Sequence, residues 1–208
     1  MPKTKPFEKF YKEYEKWFEK FDKIYEAELE AVRKLLPPFK KAIEIGVGSA
    51  RFSYPLGIKE GVEPSSKMAE IAEKKGIKVI KGYAENLPLK DNSYDLVLMI
   101  TTICFVDEPL KSIKEIKRVL KKGGYAIIGF VDKNSNIGKF YEKHRTKSKF
   151  YKEATFFSSK EIIKMLKECG FKEIECRQTL FGETLQTATT EIKSGCSEGA
   201  FVVIRAKK

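Results

Sequence analysis

Apolar side chains at three- and four-residue spacing open the chain. Phe7, Phe10, Tyr11, Tyr14, Trp17, Phe18, Phe21, Ile24 and Tyr25 recur with Lys and Glu between them. Leu29, Val32, Leu35 and Leu36 continue the stripe until Pro37-Pro38, which predicts one helix over residues 7–36. Beyond the prolines the pattern changes to short apolar runs alternating with helical stretches. Residues 41–45, 61–63, 78–81, 94–100 and 125–131 read as strands, and the unbroken run YDLVLMI at 94–100 marks a central strand covered on both faces. Residues 65–75 and 109–120 read as helices, the second closed by Lys121-Lys122-Gly123-Gly124 with glycine at its C-terminal cap. Residues 132–157 are polar, basic and aromatic and interrupt the alternation. Ser158 and Glu161 then form a capping-box signature for a helix that runs to Cys169 and stops at Gly170. Residues 171–180 and 199–207 complete seven strands, separated by a Thr- and Gly-rich loop. Such alternation predicts an α/β domain with one open, mostly parallel sheet and helices on both faces.

A chain of 208 residues buries one sizeable core. No stretch approaches the roughly 20 apolar residues that span a bilayer, and the Lys-, Glu- and aromatic-rich N-terminus has no signal-peptide apolar region, so a cytoplasmic protein with no membrane partner is expected. Cys104, Cys169, Cys176 and Cys196 form no C-x-x-C pair and have no histidine at ligand spacing, so no metal is expected. Lys and Arg outnumber Asp and Glu by 41 to 29, a net charge of +12 that raises nucleic acid as a partner. Against it, the lysines are interleaved with glutamates along the whole chain and only six cations are arginine. High Lys and Glu with two Gln and four Asn matches a heat-adapted surface instead.

The informative chemistry begins where the first strand ends. Glu44-Ile45-Gly46-Val47-Gly48-Ser49-Ala50-Arg51 places a glycine-rich turn there, which lets backbone approach a ligand closely. Glu63, in GVEPS at the end of the second strand, offers a carboxylate able to accept from both hydroxyls of a ribose. Arg51 occupies the position where a dinucleotide fingerprint wants Gly or Ala. The turn resembles instead the E/D-x-G-x-G-x-G motif of class I S-adenosylmethionine-dependent methyltransferases, with Ala50 in place of the third glycine. GVEPSSKM, GYAENLPLKDNSYDLVLM and DEPLKSIKEIKRVLKKGGYAIIGFVD are similar, in order, to later blocks of the type 11 group, which includes ubiquinone/menaquinone-biosynthesis methyltransferases.

That resemblance covers most of residues 40–132 and implies a Rossmann-like fold with an antiparallel C-terminal strand, and S-adenosylmethionine as cofactor. It implies that Glu44 sits near the methionine moiety, that Gly46, Val47 and Gly48 form the cofactor turn, and that Glu63 holds the ribose. Pro64, Ser65 and Met68 would border the adenine. Where relatives carry an adenine-binding Asp this chain has Tyr83, so backbone groups of Tyr83 and Ala84, or the Glu85 side chain, would substitute. Thr101, Thr102 and Cys104 follow the fourth strand and would border the transferring methyl. The segment lacks the N/D-P-P-Y/F motif of amino-adenine methyltransferases, which argues against methylation of an exocyclic base amine.

Residues 1–38 are expected to form an aromatic helical cap, and 39–208 the methyltransferase domain with a cap insertion at about 132–157. Tyr11, Tyr14, Trp17 and Phe18 are candidates for apolar or cation–π walls of an acceptor pocket. His144, the only histidine, is a further candidate. The expectation is methyl transfer to a small-molecule acceptor by in-line displacement, through positioning and desolvation, in a monomer or homodimer. Alternatives are an RNA or protein methyltransferase, an arsenite methyltransferase that would use Cys104, and a non-catalytic cofactor-binding domain.

Overall fold

A computed structural model describes residues 3–208; residues 1 and 2, at the start of the predicted 1–38 unit, lie outside the described residues. The strands are β1 (Ala42–Ile45), β2 (Glu60–Val62), β3 (Lys78–Ile80), β4 (Tyr94–Ile100), β5 (Leu120–Val131), β6 (Lys172–Thr179), β7 (Lys193–Ser194) and β8 (Phe201–Lys207). They form one sheet in the order β3-β2-β1-β4-β5-β8-β6-β7. Strands β1 to β5 pair in parallel, and β8 runs antiparallel between β5 and β6. Chain order reverses at β1, between β2 and β4, and a ligand crevice opens beyond the carboxyl ends of strands at such a point.

Strand β4 shows why helices cover both faces. Its alternate residues point to opposite sides. Val97 and Met99 join a core with Ile113 and Ile116 of α5 (Pro109–Val119) and Ile162 and Leu166 of α7 (Ser159–Glu168). Leu96, Leu98 and Ile100 join a second core with Ile24, Ala27, Ala31 and Val32 of α3 (Asp22–Arg33) and Ile137 of α6 (Asn136–His144). The capping box of α7 is complete: Ser158 Oγ accepts from Glu161 N, and the Glu161 carboxylate accepts from Ser158 N. Ser65 caps α4 (Ser66–Lys74) in the simpler way, accepting from Met68 N.

Three expectations need correction. The sheet has eight strands, not seven, because β7 pairs with β6 inside the Thr- and Gly-rich loop; two residues are too few for an alternation to be read. The Gly123-Gly124 pair does not cap α5. That helix ends at Leu120, where β5 already begins, and Gly123 (φ 78°) donates its N–H to Lys208 O within a register shift beside Tyr94 and Leu96. The single helix over 7–36 is three: α1 (Lys5–Lys9), α2 (Tyr11–Lys20) and α3, broken at Phe10 and Phe21. A straight helix of that length would reach ~45 Å. The breaks let the chain curve, with α3 against the sheet and α1 beside the start of α4, where the Glu8 carboxylate accepts from Ser66 N.

Candidate active site

The turn after β1 is held by its neighbour. Gly46 and Val47 both donate backbone N–H to Val62 O, at 2.8 and 3.1 Å. Gly46, Gly48 and Ala50 all have positive φ, at 70°, 54° and 62°. At Gly46 a Cβ would lie under 3.0 Å from the Thr102 side chain, whose hydroxyl donates to Gly46 O at 3.3 Å. At Gly48 a Cβ would project between Met68 Cε, 3.6 Å away, and the Tyr14 hydroxyl, 3.9 Å away. Glycine is therefore required at the first position by packing, and at the second by its conformation and the space it leaves.

Glu63 ties this turn to the end of β2. Its Oε2 accepts from Gly48 N and its Oε1 from Ser65 N, both at 2.8 Å. Each oxygen keeps a second lone pair. Burial pushes the carboxyl up to about 7, against the lowering effect of those two N–H donors. Glu44, within β1, accepts the Ser53 hydroxyl and is pushed up to about 8, again chiefly by burial.

Both carboxylates line one cavity. Of the predicted residues, Glu44, Gly46, Val47, Gly48, Glu63, Pro64, Met68, Tyr83, Ala84, Glu85, Thr101, Thr102, Tyr14, Trp17 and Phe18 all face it. Glu85 is already engaged, accepting from Asp107 N at 2.8 Å, while Tyr83 is 45 % exposed at the rim. Thr101 ends β4 with φ 50° and donates its N–H to Gly129 O.

Four predicted residues stand apart from the cavity wall. Ser65 is spent on the α4 cap and on Glu63. Tyr11 is half-buried away from the cavity, with the Lys12 ammonium 6.0 Å from its ring. Cys104 lies buried behind the wall, its Sγ 3.5 Å from Thr101 O and its thiol pushed up to about 12 by burial. His144 stacks on the exposed Phe140 at 4.2 Å and pairs Nδ1 with Phe140 O. Among the described residues no group of three or more His, Cys, Asp and Glu is placed to hold a metal ion.

Phe105, in the segment after β4 expected to border the methyl, lines the same cavity, and so does Phe7 at the start of the aromatic stripe. The structure adds Tyr141, Phe150 and Tyr151, which the pattern did not single out. Glu28 lines the cavity too, on the sheet-facing side of α3. The signal was present: Glu28 lies four residues from both Ile24 and Val32, a charge on the apolar stripe.

Comparison with known proteins agrees with the fold. A methyltransferase-domain family of the type 11 group matches residues 43–128. An uncharacterized protein of Methanocaldococcus jannaschii is 50% identical over 202 residues, 97% of this chain and 98% of that one. A crystal structure from Thermotoga maritima, of a SAM-dependent methyltransferase described as a possible histamine N-methyltransferase, is 52% identical with a TM-score of 0.95, covering 99% of each chain. The ubiquinone/menaquinone biosynthesis C-methyltransferase of Campylobacter jejuni is 32% identical over 145 residues, 59% of this chain and 62% of that enzyme. The glycine turn, the acidic residue closing β2 and these likenesses place the chain in one family: it belongs to the S-adenosylmethionine-dependent methyltransferases.

Proposed function

We propose that this enzyme transfers a methyl group to a small-molecule acceptor bound under the aromatic cap, by in-line displacement. One observation carries the reading: the two cap pieces meet over a cavity that also contains the cofactor turn. Phe7 of α1 packs on Phe150 at 5.7 Å and on Phe105 at 5.0 Å, and Glu13 of α2 pairs with Lys149 at 3.6 Å. A wall closed in this way suits a compact acceptor better than a polymer. Two relatives carry names that point to acceptors other than polymers, one a possible histamine N-methyltransferase and the other a ubiquinone/menaquinone biosynthesis C-methyltransferase, and those names differ in the atom methylated.

The residues fit S-adenosylmethionine. Gly48 leaves open the space that a side chain would fill, and Glu63 presents a buried carboxylate with unused lone pairs to the cavity. Glu63 would hold the ribose hydroxyls and Glu44 would face the methionine end. Pro64, Met68, Tyr83 and Ala84 would flank the adenine, with Glu85 and Ser65 fixing the loops behind it. When bound, the cofactor supplies an electrophilic methyl carried on sulfur. The protein's part is to orient the acceptor and keep water out, which apolar walls from Tyr14, Trp17, Phe18 and Phe105 do. Thr101, bent out of line at the end of β4, would border the reacting methyl.

Titration calorimetry with S-adenosylmethionine and S-adenosylhomocysteine, followed by a screen of amines, thiols, phenols and quinol precursors for methylated product, tests the reading. Binding of both compounds and turnover of at least one small acceptor is expected. Binding of NAD in their place, or turnover only with RNA or protein, overturns it.

A further inference from the structure

One carboxylate in the cavity has no partner among the described residues. Glu28 is 6 % exposed and lines the wall, and among the described residues it has no hydrogen bond and no ion pair. Its two acidic neighbours differ: Glu44 accepts the Ser53 hydroxyl, and Glu63 accepts two backbone N–H groups. Burial alone pushes the Glu28 carboxyl up to about 8, with no charge or donor to offset it. The Glu28 oxygens are not among the side-chain atoms sealed from solvent, so the carboxyl opens on the cavity, where a carboxylate without a partner is costly.

The surroundings define what would satisfy it. Glu28 shares the cavity wall with Tyr14, Tyr141 and Tyr151, and Tyr25 precedes it by three residues on α3. Tyr141 and Tyr151 stack at 5.2 Å. Arg51 and Lys3 also line the cavity: Arg51 pairs with Glu15 at 2.5 Å over the Phe18 ring, its Nε left without a partner, and Lys3 lies 3.9 Å from Asp107. The chain carries +12 overall, yet the buried charged groups of this cavity, Glu28, Glu44 and Glu63, are acidic. Aromatic faces and an unpaired carboxylate together attract a compact cation bearing N–H donors and repel an anion.

We propose that Glu28 is the recognition residue for a protonated amine on the methyl acceptor, so the substrate class is a small ammonium compound. The proposal rests on the reading that an acceptor occupies this cavity beside the cofactor. Glu44, on β1, and Glu63, just after β2, border the glycine turn; Glu28 lines the cavity from α3, a helix that packs in one core with Ile137, Leu180 and Tyr141.

The test uses the full chain saturated with S-adenosylhomocysteine. Calorimetry compares 2-phenylethylamine and benzylamine with their neutral alcohols and with 3-phenylpropanoate, for the wild type, Glu28→Gln and Glu28→Asp. The amines should bind at least 10-fold more tightly than the alcohols, and the carboxylate should not bind. Glu28→Gln should lose about 10-fold or more for amines, with the alcohols and S-adenosylhomocysteine unchanged, and Glu28→Asp should recover part of the loss. Circular dichroism confirms that each variant is folded. Equal amine affinity in folded Glu28→Gln, alcohols binding as well as amines, no amine binding at all, or a parallel loss of S-adenosylhomocysteine affinity each overturns the assignment. Failure of the underlying reading looks different: the wild type then binds no S-adenosylhomocysteine.

Discussion

Replacing Glu28 by glutamine should make the enzyme more stable in alkaline solution and leave its stability in acid almost unchanged. The side chain is near-isosteric, so the packing of α3 is kept while the charge is removed. In the folded protein the Glu28 carboxyl is held at about 8 by burial, against an ordinary 4.5. The sign follows from proton counting. Between those values the native state binds more protons than the unfolded chain, so Glu28 lowers stability progressively as pH rises from about 4.5 to 8; below that window both states are protonated and its effect vanishes. At ~1.4 kcal/mol per tenfold change in proton affinity, the full effect reaches about 5 kcal/mol above pH 8. Glu44 and Glu63 act in the same direction, but they are present in both proteins and cancel in the comparison. Urea unfolding followed by far-ultraviolet circular dichroism at pH 5, 6, 7, 8 and 9, without cofactor, gives the two profiles. Fluorescence alone is unsuitable, since the single tryptophan, Trp17, sits on α2 and reports the release of that helix. A stability difference that stays constant from pH 5 to pH 9 would refute the reasoning, because it would mean that Glu28 is paired or hydrated in the folded state.

Other substitutions probe the rest of the site. Glu63→Gln leaves either Gly48 N or Ser65 N facing an amide NH₂ and should weaken S-adenosylhomocysteine binding about 10- to 100-fold, from the ~1.5–3 kcal/mol carried by a charged hydrogen bond; calorimetry showing wild-type affinity would remove Glu63 from the cofactor site. Gly46→Ala forces a side chain onto Thr102 at φ 70° and should cost about 1–3 kcal/mol in urea unfolding, with Thr102→Ala in the same chain restoring part of it. If the double variant is no better than the single one, steric contact is not the cause. Cys104→Ser should leave methyl transfer within about twofold of wild type, since its thiol is buried, stands behind the cavity wall and is held far from ionisation. A large loss of turnover with cofactor binding intact would make Cys104 a participant.

Local patterns determined the sheet, the turn and the acidic residue that follows it. The run at 94–100, the alternation of strands and helices, the Ser158–Glu161 capping box and the Gly46–Gly48 turn depend on residues near one another in sequence, where periodicity and glycine chemistry act. The fates of the candidate residues depended on tertiary contacts. Period alone could not tell Tyr11, half-buried off the cavity, from Tyr14, which lines it, because the bends at Phe10 and Phe21 redirect the stripe. Nor could it bring Tyr141, Phe150 and Tyr151 to Phe7, more than 130 residues away in sequence. Glu28 shows the division most sharply. Its place on an apolar face was legible, but whether a buried carboxylate is paired depends on every group around it, and those groups come from α2, α3 and the 132–157 insertion only after the chain has folded.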